Sequence, residues 1–284
     1  MIYLRKFVVP DAEQESDFTM SVRRNCYSTF YPFQVLSKHR LEEIEFDPIT
    51  IFYGGNGCGK STALNVIAEK LQVKRESSFN QSNFYQDYVD LCQASLLEDL
   101  PEHCQIITSD DIFDFMLNIR AVNEGVDTKR EELFEEYMDA KYAKFQFRTM
   151  EDYDKLKKVN QARSKTQSKF VRDNLMNNIR EYSNGENAYR YFIGKIEEDG
   201  LYLLDEPENS LSPERQLELK KYLEESARYC GCQFIISTHS PFLLALDHAK
   251  IYDFDEDPVT VKPWTQLKNV RTYHDFFKHH EGEF

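Results

Sequence analysis

Four short segments carry residues that could do chemistry. The first, Gly54-Gly-Asn-Gly-Cys-Gly-Lys-Ser61, fits the pattern GxxxxGK[ST]. Its glycines let backbone N–H groups turn inward around phosphate oxygens, and a helix opening near Lys60 adds the positive end of its dipole. In such a loop Lys60 reaches the β- and γ-phosphates of a nucleotide, and the Ser61 hydroxyl ligates Mg2+. Gly54, Gly55, Asn56, Gly57, Cys58, Gly59, Lys60, Ser61 and Thr62 therefore form the expected phosphate-binding set. The second segment is Leu201-Tyr-Leu-Leu-Asp-Glu206. Four apolar residues predict a buried strand, and Asp205 emerges from its end as a magnesium ligand acting through water. Glu206 then orients or deprotonates a water molecule beside the γ-phosphate. Two adjacent acids are common at surface turns; the preceding strand and the following Pro-Glu-Asn-Ser-Leu211 set this pair apart.

His239 lies in the third segment, Ser237-Thr-His-Ser-Pro241, directly after another apolar run. A lone histidine is usually structural. At the sheet end where ligands sit in open α/β folds, it can hydrogen-bond a γ-phosphate. The fourth segment, Ser183-Asn-Gly-Glu186, opens the helix that precedes Asp205. A serine cap and a glycine at a helix start make a second anion site, formed by Ser183 and Gly185. Taken alone this tetrapeptide would mean only a turn.

These residues need a scaffold with strands ending at one edge. Residues 49–53 form a short β-branched and aromatic run that stops at the glycines. From Lys60 the period changes, and Ala63, Leu64, Ile67 and Leu71 recur at helical spacing. Downstream, Ala188, Tyr191, Phe192 and Ile196 mark one helix face. Residues 201–204, 233–237 and 251–254 read as strands, and the first nine residues as one more. Ser212 before Pro213 predicts an N-cap with proline in the first helical turn, and Gly231 a stop. Strands alternating with helices imply an α/β fold with a mostly parallel sheet covered on both faces. Between the blocks, residues 127–173 are rich in charge, with Phe134, Met138 and Phe145 at roughly helical intervals. They predict a solvated helical lobe with a narrow buried face. Sustained heptads are absent, which argues against a coiled-coil arm.

Bulk properties narrow the function classes. The chain has 284 residues, 41% of them hydrophobic and 14% aromatic, enough for one large α/β domain with a subdomain. Its longest apolar runs fall far short of the ~20 residues that cross a bilayer. The start of the chain lacks the apolar stretch of a signal peptide. Six cysteines occur without a CxxC pair, which points to free thiols in a reducing cytoplasm. A net charge of −14 repels nucleic acid on average.

The order of these segments resembles the ABC ATPase superfamily. Residues 54–61 match its Walker A motif, 183–186 its signature, 201–206 its Walker B motif, 209–213 its D-loop, and His239 its switch histidine. More narrowly, residues 201–213 and 233–241 resemble the short stand-alone bacterial ATPases, often labelled AAA-type, that are related to the DNA-repair and chromosome-structure branch. The resemblance covers residues 1–80 and 180–284. It implies a P-loop NTPase core at 1–80 and 183–260, an inserted helical lobe at 81–182, and a tail at 261–284. It also implies ATP and Mg2+ as ligands, hydrolysis to ADP and phosphate, and a homodimer with ATP between one Walker A and the partner's signature. Two positions depart from the pattern: Tyr182 replaces the leucine usual at the signature start, and Asn184 replaces a small residue. Gln81 and Gln86 are both candidates for the phosphate-sensing glutamine, and the adenine-stacking aromatic is not assigned. The leading reading is an ATP-driven dimer switch controlling an effector protein. A DNA-repair or chromosome-type ATPase acting on nucleic acid and the ATPase subunit of a transporter stand as its alternatives.

Overall fold

The computed structural model describes residues 1–22, 26–144, 153–179 and 184–284. The chain divides into two compact units, Met1–Ile112 with Ser183–Phe284, and Phe113–Tyr182.

The first unit is built on two sheets. Strands β1 (Leu4–Val8), β2 (Glu43–Glu45) and β4 (Gln93–Leu96) form a small antiparallel sheet in the order β2-β1-β4. The larger sheet contains β3 (Ile49–Tyr53), β5 (His103–Thr108), β6 (Gly200–Asp205), β7 (Gln233–Ser237), β8 (Lys250–Asp253) and β9 (Thr260–Val261). Its order is β5-β6-β7-β3-β8-β9, parallel except for the β8–β9 pair. β3 and β7 are buried at every residue, and β6 at all but its last. That is why their central residues run apolar without alternating, and why the polar side chains they carry, Thr50, Gln233 and Ser237, are buried too.

The helices of this unit are α1 (Ala12–Ser21), α2 (Lys60–Leu71), α3 (Tyr85–Leu91), α7 (Asn184–Lys195), α8 (Pro213–Tyr229), α9 (Pro241–Leu244) and α10 (Lys268–His279). α2 packs against β6, β7, β4 and α3, and most of its residues are buried, Lys60, Thr62 and Asn65 among them. The predicted face of α7 is buried through Ala188, Tyr191, Phe192 and Ile196. α8 begins as its sequence indicates: the Ser212 side chain accepts from Arg215 N, and Pro213 occupies the first turn. α10 meets the core at its start, where Leu267 and Val270 are buried.

The core reaches further into the middle of the chain than the charge pattern indicates. Residues 81–112 were expected in the helical lobe. Instead β4 pairs with β1, and β5 pairs with β6 from His103↔Gly200 to Thr108↔Asp205. β5 is a short apolar run between charged stretches, and a run of that length carries no period that separates strand from helix.

The second unit contains most of α4 (Ser109–Tyr142), with α5 (Tyr153–Ser164) and α6 (Gln167–Asn174). Leu133, Tyr137, Ala162, Phe170 and Val171 form its core, with Phe134 packed against them. Met138 is exposed, and Phe145 lies outside the described residues. Among the described residues no helix is long and apolar enough to cross a membrane.

One buried side chain joins the two sheets. Gln233 Oε1 accepts from Tyr3 N (2.8 Å) and Leu4 N (2.9 Å), and its Nε2 donates to Leu4 O (2.8 Å). Gln233→Leu keeps the volume but strands three buried backbone groups, at about 1–3 kcal/mol each. The variant is expected to lose about 3 kcal/mol or more in a urea titration. A loss under 1 kcal/mol would mean that those groups find other partners.

Candidate active site

The phosphate-binding loop runs from the end of β3 into α2. Gly59 caps α2 with φ +101°, a left-handed conformation that costs glycine nothing, and a Cβ there would press on Val35 and Leu36 at 3.2 Å. Lys60 is 4% exposed, and its ammonium donates to Gly54 O (2.8 Å) and Gly55 O (3.0 Å) within the loop. The loop is anchored from β8 as well, because Asp255 Oδ1 accepts from Gly55 N at 2.8 Å. Cys58 is buried beneath it, and burial pushes its thiol pKa up.

Parallel register brings the second and third segments to the same edge. β6 lies beside β7 with Asp205 opposite Ser237, and β7 lies beside β3. Asp205 Oδ1 accepts from Ser61 Oγ at 3.0 Å and also from Ser237 Oγ. Burial raises the Asp205 pKa above the ordinary carboxylate range, and Glu206 raises it further. The Ser237 and Ser61 hydroxyls and Lys60 oppose that push. Hard oxygen donors converging on a buried acid suit Mg2+. A cation bound here would favour the ionised carboxylate that burial disfavours.

Glu206 has φ +48°, and its N–H donates to Ser237 O at 3.0 Å. Successive residues of a regular strand point to opposite faces. The left-handed turn at Glu206 ends that alternation, and both acids face the loop. Glu206 Oε1 lies 3.9 Å from Lys60 Nζ and 3.9 Å from His239 Nδ1, while Oε2 accepts from Asn209 Nδ2 at 3.1 Å. Lys60, Ser61, Asp205, Glu206 and His239 thus meet at the C-terminal ends of the parallel strands.

Several contributors escape the motifs. Tyr31 lines the cleft beside Asn56, Lys60 and Glu206, and its hydroxyl pairs with Thr62 Oγ1 at 3.1 Å. Burial raises the pKa of its phenol. Asn269, from α10, donates its N–H to Tyr53 OH (3.0 Å) and its Nδ2 to His239 O (2.9 Å). A contact from so far along the chain leaves no spacing signal. Ser237 could have been found from the parallel register alone. Gln81 and Gln86 are both exposed, and Gln86 pairs with Asp90. Thr108 is the residue that stands opposite Asp205 at the end of β5.

The signature segment is placed in part. Ser183 and Tyr182 lie outside the described residues. Gly185, in the first turn of α7, packs against the turn before α8, where a Cβ would lie 3.0 Å from Ser210 O.

A mostly parallel sheet with a glycine loop, a buried lysine and strand-end carboxylates at one edge defines a P-loop NTPase. The family model described as "ABC transporter" matches residues 42–209, more than half of the chain, and the chain belongs to that family as an ABC-type ATPase domain. A model described as "AAA ATPase domain" matches residues 186–244. No curated protein matches the sequence. Two solved structures illustrate its likenesses. A putative metal-chelate type ABC transporter in an inward-facing conformation is 14% identical, with 82% of this chain and 80% of that one covered and a TM-score of 0.38. The Smc head domain with an extended coiled coil, bound to the C-terminal domain of ScpA and derived from Pyrococcus furiosus, is 13% identical. That match covers 99% of this chain and 100% of the other, with a TM-score of 0.43. Likenesses at these scores support no statement about function.

Proposed function

We propose that this chain binds ATP with Mg2+, hydrolyses it to ADP and phosphate, and works as a nucleotide-driven homodimer that controls an effector protein. The observation that carries the reading is Glu206, whose carboxylate stands between Lys60 and His239 at 3.9 Å from each. Lys60 and the loop N–H groups hold the phosphates, and Tyr31 forms the wall beside the loop. Glu206 takes the proton of an attacking water, and Asn209 fixes the carboxylate by holding its other oxygen. Magnesium held by Ser61 and Asp205 supplies charge neutralisation on the phosphates. His239 hydrogen-bonds the γ-phosphate and registers its presence. The net charge of −14 favours a protein effector over duplex DNA.

In this reading the dimer shares its sites. Ser183 and Gly185 supply N–H groups and a hydroxyl to the γ-phosphate held by the partner's loop, and a two-fold axis repeats the contact. ATP then stabilises the closed dimer by binding it preferentially, and hydrolysis releases it.

Complementation tests the sharing. Ser183→Arg should bind ATP yet fail to dimerise or hydrolyse, and Lys60→Ala should fail to bind. Mixed together, the two are expected to regain partial turnover, because one composite site pairs an intact loop with an intact signature. No recovery at any ratio, or full activity of Ser183→Arg alone at dilutions that exclude dimers, refutes a shared site.

A further inference from the structure

Glu208 lies two residues after Glu206 and is 7% exposed. Its Oε1 accepts from His239 N (2.9 Å) and Ser240 N (3.2 Å) and lies 3.4 Å from His239 Nδ1. Its Oε2 is buried with no hydrogen-bond partner among the described residues. A buried carboxylate with one oxygen unmatched is costly, so its presence calls for a reason. Capping of α9 does not supply one. Ser240 already caps that helix, its Oγ accepting from Phe242 N and Leu243 N.

We propose that Glu208 is a positioning residue for His239, holding its backbone and ring so that the imidazole faces the nucleotide cleft in one orientation and one tautomer. The proposal rests on the reading that His239 meets the γ-phosphate. A carboxylate accepts, so the ring hydrogen facing Glu208 belongs on Nδ1 and Nε2 points the other way. Glu206 Oε1, 3.9 Å from the same nitrogen, reinforces that choice. Asn269 holds the His239 carbonyl from the opposite side, at 2.9 Å, so the residue is gripped at both ends of its backbone. Glu208 also links the turn that carries Glu206 to the turn that carries His239.

Two readouts on the full chain test this. Two-bond 1H–15N correlation spectra of histidine-labelled protein report the ring, with His239 assigned by its loss in His239→Gln. In wild type Nδ1 should carry the hydrogen. Glu208→Ala should shift the His239 signals to those of a mixed, exposed imidazole, whereas Glu208→Gln, whose Oε1 can still accept, should leave them closer to wild type. Turnover should follow: kcat about 10-fold lower or more in Glu208→Ala, of the size that sub-ångström misplacement causes, with KM for ATP within about threefold. Glu208→Gln should recover much of that loss. If Glu208→Ala does not fold, Glu208→Asp replaces it, since the shortened carboxylate withdraws from the ring and should displace the same signals. Unchanged His239 signals in Glu208→Ala or Glu208→Asp, or Glu208→Gln resembling Glu208→Ala, overturn the proposal. Displaced ring signals with unchanged kcat uphold the positioning role and refute the catalytic part assigned to His239.

Discussion

Lys60→Ala is expected to weaken ATP binding by about 10²-fold or more and to melt close to wild type. Charged hydrogen bonds contribute about 1.5–3 kcal/mol each, and Lys60 is placed to make two of them, to the β- and γ-phosphates. Losing both corresponds to roughly 10²–10⁴ in affinity. Stability should change little, because Lys60 is buried by the loop and donates to the backbone there, at Gly54 O and Gly55 O. Its removal also takes a buried cation out of the fold, which offsets those two bonds. Titration with a fluorescent ATP analogue and a thermal melt check both halves. Wild-type affinity in the variant would move phosphate binding away from this loop.

Glu206→Gln should separate binding from chemistry. The amide keeps the length of the side chain and tolerates φ +48° as well as glutamate does, so the turn survives. Asn209 Nδ2, which donates to Glu206 Oε2, can still donate to the amide oxygen. What disappears is the basic oxygen facing Lys60 and His239. A general base is worth about 10²–10⁴-fold, so kcat should fall by about 10² or more with ATP affinity near wild type. Stalled before hydrolysis, the variant should accumulate as a dimer with ATP and Mg2+ in light scattering after gel filtration, and revert to monomer with ADP. Turnover at the wild-type rate would assign the base elsewhere. A variant that is slow yet monomeric with ATP would preserve the catalytic role and refute the nucleotide-driven dimer.

The parts of this site that were legible in the sequence are those encoded by contiguous residues. The loop at 54–61 requires glycine at positions such as Gly59, where the backbone is left-handed, and a lysine six residues after its start. The strands before Asp205 and His239 carry the apolar runs 201–204 and 234–236 because both faces are covered. Contacts made across the sheet were not legible. Asp255, Tyr31 and Asn269 reach the loop from distant segments, and their types are common in ordinary loops and helices. Glu208 was visible within its motif, but nothing in the motif shows that its oxygen lands on the backbone of His239. The edge of the helical insertion was hidden for another reason. β5 belongs to the sheet through its pairing with β6, a long-range fact, while its neighbours in sequence are charged. Gln81 and Gln86 were drawn in by residue type alone.

The strand order also constrains how this protein can be synthesised. β3, which delivers the phosphate loop, takes its place in the sheet by pairing with β7 and β8, both later in the chain. A ribosome working from the N-terminus releases the five residues of β3, four of them apolar or aromatic, long before either partner exists. Until residue 237 has emerged both edges of this strand are open, and one stays open until residue 253 has emerged, the condition that favours aggregation and chaperone capture. The nucleotide site is therefore among the last parts of the chain to form, although its phosphate loop is among the first parts translated. A nascent chain halted before β7 would carry the whole loop sequence with no sheet to hold it.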